Sequence, residues 1–234
     1  RFNQDTDKKR QKEHVVDVTE LKGMFLLGAS LSIVFSMGFG AFKFFQKGNW
    51  ILSAEWAIMF TSTSSLTVWI FTQWNWQYNF VMYLDAFSRV AGMNLLVVFG
   101  FLAVTHQYKP SLKADVLIFI TIGMIAAALM YVEPLNAIRP YVFFAVHYMF
   151  LPFLLLLVYK LFQLGEHRLG RHMLIASVLL TYIHSIADFY PIPGDETNLV
   201  YNYGFMALTT WAYAYAVIFF AYEALEKASK PQEA

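Results

Sequence analysis

The stretch Gly23–Phe42, which reads GMFLLGASLSIVFSMGFGAF, contains no charged residue and decides the fold class. A helix needs roughly 20 mostly apolar residues to cross a hydrocarbon core about 30 Å thick, and this stretch meets that length. Six other stretches are also uncharged: Trp56–Leu84, Val90–Tyr108, Val116–Val132, Tyr141–Tyr159, Met173–Ala187 and Leu199–Tyr222. The pattern predicts an all-α, polytopic integral membrane protein.

The composition agrees with this class. Only 14% of the 234 residues are charged and 58% are hydrophobic, whereas a soluble domain usually has about 25% charged residues. The formal net charge of +1 gives no basis for binding nucleic acid. The chain has no cysteine, which excludes disulfides, thiolate-bound metal centres and a cysteine nucleophile.

We predict a bundle of seven transmembrane helices. Clusters of Pro, Gly and Asn between the apolar stretches are typical of turns and mark the divisions. A polar tail at residues 1–21 precedes the transmembrane domain at residues 22–226, and a short tail at 227–234 follows it. The spans are expected near residues 22–44, 50–73, 79–106, 113–132, 139–163, 171–189 and 200–225.

The basic residues predict the orientation. The positive-inside rule places loops rich in Lys and Arg in the cytoplasm, which gives an external N-terminus and an internal C-terminus. The six basic residues within residues 1–22 oppose this assignment, although five acidic residues nearly balance them. We expect a multi-pass protein of a plasma or inner membrane. The opposite loops carry only Arg139, and the basic set is Lys43, Lys47, Lys109, Lys113, Lys160, Arg168, Arg171, Lys227 and Lys230.

Ionisable residues inside a membrane span are costly and mark functional sites. At a rise of 1.5 Å per residue, five of them fall in the outer half of the bilayer. Asp85 and Arg89 are four residues apart and can pair on one helix face, and His184 and Asp188 share that spacing. We predict that the five converge on one polar site, with Tyr182 at the same level. They are Asp85, Arg89, His147, His184 and Asp188.

Other polar residues in the spans receive structural interpretations. Glu55 lies near the cytoplasmic end of the second span, where we expect its carboxylate to reach the membrane surface. The hydroxyl-rich stretch Thr61–Thr67 is expected to face the bundle interior, at a polar cavity or a close helix contact. Trp74 and Trp76 are expected at the external interface. Further candidates to line the site are Tyr141, Ser185, Tyr190, Asn202 and Tyr203.

Seven helices with an external N-terminus resemble the architecture of the microbial rhodopsins. The Asp85/Arg89 pair and the Tyr190-Pro191 ending of the sixth span are similar in kind to features of that family. The resemblance implies a fold and not a function. The last span, Tyr201–Tyr222, contains no lysine, so no covalently bound retinal is expected there.

Three functions follow from the pattern and stay open. The favoured one is binding or conduction of a small ligand or a proton in the polar pocket, as in a transporter or sensor. The second is a metal- or haem-dependent membrane oxidoreductase. Two histidines and one carboxylate form a ligand set that suits a metal, and this set would be His147, His184 and Asp188. The two histidines alone suggest haem. The third is a structural subunit that binds other membrane subunits within the lipid bilayer. No G-x-S-x-G or Walker A motif occurs, which favours a non-enzymatic role.

Overall fold

The computed structural model describes residues 18–105, 111–190 and 204–229. Regular secondary structure in these ranges is entirely helical, which confirms the predicted all-α class. A π-helical segment, Ser88–Gly92, joins two of the helices without a break. The α-helices are α1 (Val18–Gln46), α2 (Trp50–Thr72), α3 (Asn75–Phe87), α4 (Met93–Thr105), α5 (Leu112–Tyr131), α6 (Glu133–Gln163), α7 (His167–Ile186) and α8 (Leu208–Ser229).

Four helical stretches are long and apolar enough to cross a membrane, which is consistent with an integral membrane protein. α5 adds a shorter apolar stretch, Val116–Tyr131. α2 has sufficient length, but its run of hydroxyl residues from Thr61 to Ser65 lowers its hydropathy. The π-helical segment divides the third predicted span into two short α-helices. The four stretches are Leu21–Gln46, Glu133–Gln163, His167–Ile186 and Gly204–Ser229.

The helices form a closed ring in chain order. α1 packs on α2, α2 on α3, α3 on α5, and α5 on α6. α6 then packs on α7, α7 on α8, and α8 returns to α1. α4 continues the line of α3 and also packs against α2, α6 and α8. Side chains from α3, the π-helical segment, α6, α7 and α8 can therefore meet inside the ring.

The helix boundaries follow local sequence signals. Asn49 caps α2, because its side-chain Oδ1 accepts a hydrogen bond from the Leu52 amide at 3.2 Å. Gly48 and Gly165 adopt left-handed φ angles of 69° and 79° in the turns after α1 and α6. α6 begins six residues earlier than residue 139, where the span was predicted to start. Pro134 fits its first turn, where a proline loses no helical hydrogen bond.

Two glycines allow close helix packing. A Cβ atom at Gly40 of α1 would lie 2.1 Å from Cδ1 of Trp56, and one at Gly100 of α4 would lie 2.4 Å from Cδ2 of Leu52. The Ser53 hydroxyl donates a hydrogen bond to the Ala41 carbonyl at 3.0 Å across the same α1–α2 contact. Small residues bring α1 and α4 against α2, as is common between membrane helices.

An ion-pair cluster joins the ends of α1 and α8. Lys47 Nζ lies 2.7 Å from Glu226 Oε2 and 3.3 Å from Glu223 Oε1. Partial burial alone would lower the pKa of Lys47, but the hydrogen bonds and charges of Glu226 and then Glu223 outweigh it, so this pKa is raised. The C-terminal ends of α1 and α8 therefore lie at the same end of the bundle.

Candidate functional site

Arg89 is the centre of a buried charge cluster. Its Nη1 lies 3.7 Å from Asp85 Oδ2, which confirms the predicted pairing within one helix face. The guanidinium also donates to both carboxylate oxygens of Asp188, with Nη1 3.2 Å from Oδ1 and Nη2 in contact with Oδ2. Its Cζ lies 4.2 Å from the centre of the Phe143 ring. Asp85 and Arg89 are 5% and 9% exposed, so these charges depend on one another rather than on water.

The π-helical segment places Arg89 in this cluster. A π-helical turn widens the backbone by one residue per hydrogen-bonded ring and commonly occurs at functional sites. Here it starts at Ser88, whose hydroxyl donates to the Leu84 carbonyl at 2.8 Å and lies 2.8 Å from Met59 Sδ of α2. Met59, Ser88 and Arg89 consequently line the same cavity.

His147 and His184 form a stacked pair beside Arg89. Their ring centres are 4.1 Å apart and their planes differ by 8°. The hydroxyl of Thr181 donates to the Ser177 carbonyl, so it accepts from Nε2 of His147 at 3.2 Å. Because a carbonyl only accepts, Nδ1 of His184 donates to the Leu180 carbonyl at 2.8 Å. In the neutral tautomers, His147 Nδ1 and His184 Nε2 are therefore left as acceptors.

These groups surround a cavity of about 30 Å³, which is room for about one or two water molecules. The carboxyl of Asp85, the guanidinium of Arg89 and both imidazoles line it. Apolar and aromatic side chains complete its wall. The remaining lining residues are Met59, Ser88, Asn94, Val97, Phe150, Leu180, Trp211, Tyr215 and Ile218.

The predicted partner of His184 is wrong. α7 ends at Ile186, so residue 188 no longer follows the helix, and the spacing of four residues does not place it over His184. Asp188 binds Arg89 instead. Asp188 therefore ties the end of α7 to the π-helical segment through Arg89.

Several aromatic and hydroxyl residues at the predicted level point away from the cavity. Tyr182 is 55% exposed, and Tyr141 and Tyr190 are 65% and 66% exposed. The Ser185 hydroxyl lies 3.1 Å from the Tyr148 hydroxyl on the outer surface. Tyr182 is therefore not part of the site. Asn202 and Tyr203 lie outside the described residues.

The predicted metal and haem ligands do not fit those groups. In residues 18–105, 111–190 and 204–229, no three His, Cys, Asp or Glu side chains lie close enough together to hold a metal ion. Asp188 contacts Arg89, which removes the carboxylate from the set. Two axial haem ligands approach the iron from opposite faces of the macrocycle, whereas His147 and His184 stack face to face with no space for a macrocycle between them.

Sequence reasoning missed three important residues. Glu55 was expected to reach the membrane surface but is 2% exposed, because α2 turns this face towards the bundle. Trp211 and Tyr215 of α8 line the cavity. Residues four apart lie on the same face of a helix. Glu55 has this spacing from Met59, and Trp211 has it from Tyr215, so the spacing is the sequence signal that could have assigned these residues to the cavity side of their helices.

The hydroxyl-rich stretch of α2 bonds mainly to its own helix. The hydroxyl of Thr63 donates to the Met59 carbonyl at 2.8 Å, and that of Thr67 to the Thr63 carbonyl at 3.0 Å. Ser62 and Thr63 are buried and Thr61 is exposed. Neither Ser62 nor Thr63 is among the residues that line the cavity.

No protein-family model, curated protein or solved structure matches the chain. The function therefore has to be argued from the site itself.

Proposed function

We propose that the protein is a seven-span membrane protein that binds and passes protons through the cavity between Asp85, Arg89, His147 and His184. The four long apolar stretches support membrane insertion. Helical backbone also runs without interruption from α3 through the π-helical segment to α4, and at 1.5 Å per residue this length exceeds a hydrocarbon core of about 30 Å. With α2 and α5 it completes the closed ring.

The distribution of basic residues supports an external N-terminus and an internal C-terminus. Lys47 lies at the α1–α2 turn, where it meets the end of α8, and Lys160, Arg168 and Arg171 flank the α6–α7 turn. Each of these turns follows an odd-numbered span in the proposed order, so they share one side. The positive-inside rule makes that side cytoplasmic.

The size of the cavity favours a proton over an organic ligand. Pockets for small molecules usually have volumes of about 300–1,000 Å³, whereas this cavity has about 30 Å³. Water molecules in such a space can carry a proton between side chains that donate and accept. The small volume is the observation that carries the proposal.

The charges around the cavity also favour a proton. The single guanidinium of Arg89 faces the carboxylates of both Asp85 and Asp188, so the cluster has one negative charge in excess when all three are ionised. His147 and His184 each keep one acceptor nitrogen, but stacking 4.1 Å apart disfavours two positive charges. One proton, shared among these groups, neutralises the site.

Proton flux into liposomes tests the proposal. The full chain is reconstituted with a pH-sensitive dye inside the vesicles, and a potassium gradient with valinomycin drives protons across the membrane. We expect flux for the wild type and loss of flux for Asp85→Asn. Glu166→Gln makes a similar change at an exposed residue and should keep the flux.

Two outcomes contradict proton passage. One is the absence of flux from wild-type vesicles that contain folded protein, and the other is equal flux for Asp85→Asn and Glu166→Gln. A cluster that affects only thermal stability would instead favour the structural-subunit hypothesis.

A further inference from the structure

Glu55 of α2 is a buried acid that the cavity cluster does not include. Its side chain is 2% exposed, and neither Oε1 nor Oε2 has a hydrogen-bond partner among the described residues. Its neighbours along α2, Leu52, Trp56 and Met59, are also buried. The carboxyl therefore lies in apolar surroundings inside the bundle.

An ionised carboxylate is far more costly than a neutral acid in such a place. Transfer of an unpaired charge into a low-dielectric interior is strongly unfavourable, and a buried acid generally takes up a proton instead. The two unpaired oxygens show that no described cation or donor compensates a charge on Glu55. The neutral, protonated form is the one that this environment accommodates.

Tyr215 of α8 connects Glu55 with the cavity. Its ring packs edge-on against Trp56, with the ring centres 5.5 Å apart, and it lines the cavity together with Asp85. A phenol hydroxyl both donates and accepts, so Tyr215 has the chemistry to pass a proton from one acid to the other.

The helices around α2 offer few other charges to Glu55. α3 carries Asp85 at the cavity wall, and α8 packs Tyr215 on Trp56, the neighbour of Glu55 in the chain. α1 faces α2 with Ala41 and Phe44, and α4 faces it with Gly100. Lys43, on the last turn of α1, lies over the Phe39 ring. None of these described groups is hydrogen-bonded to the Glu55 carboxyl, so its burial is what disfavours the charged form.

We propose that Glu55 is a second proton-binding site, on the cytoplasmic side of the cavity, and that it exchanges its proton with the cavity through Tyr215. This inference rests on the proposed function, because it extends the proton path from the outer half of the bundle towards the cytoplasm. Glu55 and Tyr215 are not hydrogen-bonded to each other, so transfer requires a rotation of the Glu55 side chain or a bridging water. The proton then leaves the Glu55 carboxyl as the Tyr215 hydroxyl accepts it, and the phenol proton passes to water or to Asp85. No electron transfer and no further reactant is required.

Infrared spectroscopy tests the binding site independently of proton flux. Spectra of the reconstituted full chain at neutral pH are compared between the wild type and Glu55→Gln. We expect loss of a protonated carboxyl C=O stretching band. Glu166→Gln, which changes an exposed carboxyl, should leave that band in place. If Glu55→Gln also leaves it in place, the second site is wrong.

Proton flux tests the exchange. In the liposome assay, Glu55→Gln should lose flux as Asp85→Asn does, and Glu55→Asp should recover part of it. Tyr215→Phe retains the ring packed on Trp56 and should slow the flux while the infrared band of Glu55 remains. Circular dichroism and size-exclusion chromatography establish that each variant is folded.

The outcomes separate this inference from the function on which it rests. Flux that is lost in Asp85→Asn but unchanged in Glu55→Gln and Tyr215→Phe overturns the exchange and leaves the proposed function standing. Absence of flux in the wild type overturns the proposed function and the exchange, while the infrared band still decides whether Glu55 binds a proton.

Discussion

At the scale of the residue, the decisive feature is that one guanidinium serves two carboxylates. Arg89 contacts Asp85 on its own helix and Asp188 beyond the end of α7. A buried pair such as Arg89 with Asp85 contributes little net stability when complete, but it is costly to break because a charge is left behind. Arg89 therefore fixes the position of Asp85 at the cavity and also holds the end of α7 against the π-helical segment.

Arg89→Gln should destabilise the protein by up to about 3–5 kcal/mol, because the buried carboxylate of Asp85 loses the cation that it contacts, whereas Asp188 is exposed and contributes less. Thermal or denaturant unfolding of the full chain in detergent measures this loss. The double variant Arg89→Gln/Asp188→Asn removes one of the stranded charges and should recover part of the stability. Strictly additive losses in the double variant would show that Arg89 and Asp188 are not coupled.

At the scale of the element, packing depends on where small residues allow helices to approach. Gly40 and Gly28 lie on the same helix, α1, but only Gly40 faces a neighbouring ring. A Cβ at Gly40 would clash with Trp56, whereas one at Gly28 meets no atom within 4 Å. Trp56 adjoins Glu55 and packs on Tyr215, so the α1–α2 contact also supports the proposed proton path.

Gly40→Ala should lower stability by about 1–3 kcal/mol, because an added methyl group in a packed contact forces side chains or backbone to shift. Gly28→Ala is the matched control and should be neutral or stabilising by about 0.5–1 kcal/mol, since alanine favours the helix. The melting temperatures of the two variants in the same detergent compare them directly. Equal melting temperatures would contradict the close contact at Gly40.

At the scale of the whole molecule, the closed ring encloses Glu55, Asp85, Arg89 and His147 and leaves apolar faces on the outside. α6, for example, exposes Tyr148, Met149, Leu155 and Leu156 while it buries His147. This arrangement suits a lipid surround, where polar groups must find partners within the bundle. The proposed direction of proton passage depends on which end of the ring faces the cytoplasm.

Single-cysteine labelling decides the orientation, since the native chain has no cysteine to remove. Glu133→Cys and Glu166→Cys mark opposite ends of α6, and both positions are exposed. A membrane-impermeant maleimide should label Glu133→Cys on intact cells and Glu166→Cys only after permeabilisation. The reverse pattern would invert the orientation, and labelling of both from outside would contradict a span between them.

The sequence by itself determined the all-α class, the apolar helical segments and the expected level of the charged residues along their helices. Hydropathy and the 1.5 Å rise per residue are local properties, so Asp85, Arg89, His147 and His184 could be assigned to one level before any contact was known. They line one cavity in the structure.

Only the tertiary structure decided which way each side chain faces around its helix axis. Rotation about that axis is set by the neighbouring helices, through contacts such as Gly40 with Trp56, and the hydropathy of a uniformly apolar helix does not encode it. For this reason Tyr182 was wrongly assigned to the site and Glu55 to the membrane surface. The end of α7 at Ile186 and the π-helical turn at Ser88 likewise redirected Asp188 and Arg89 towards each other.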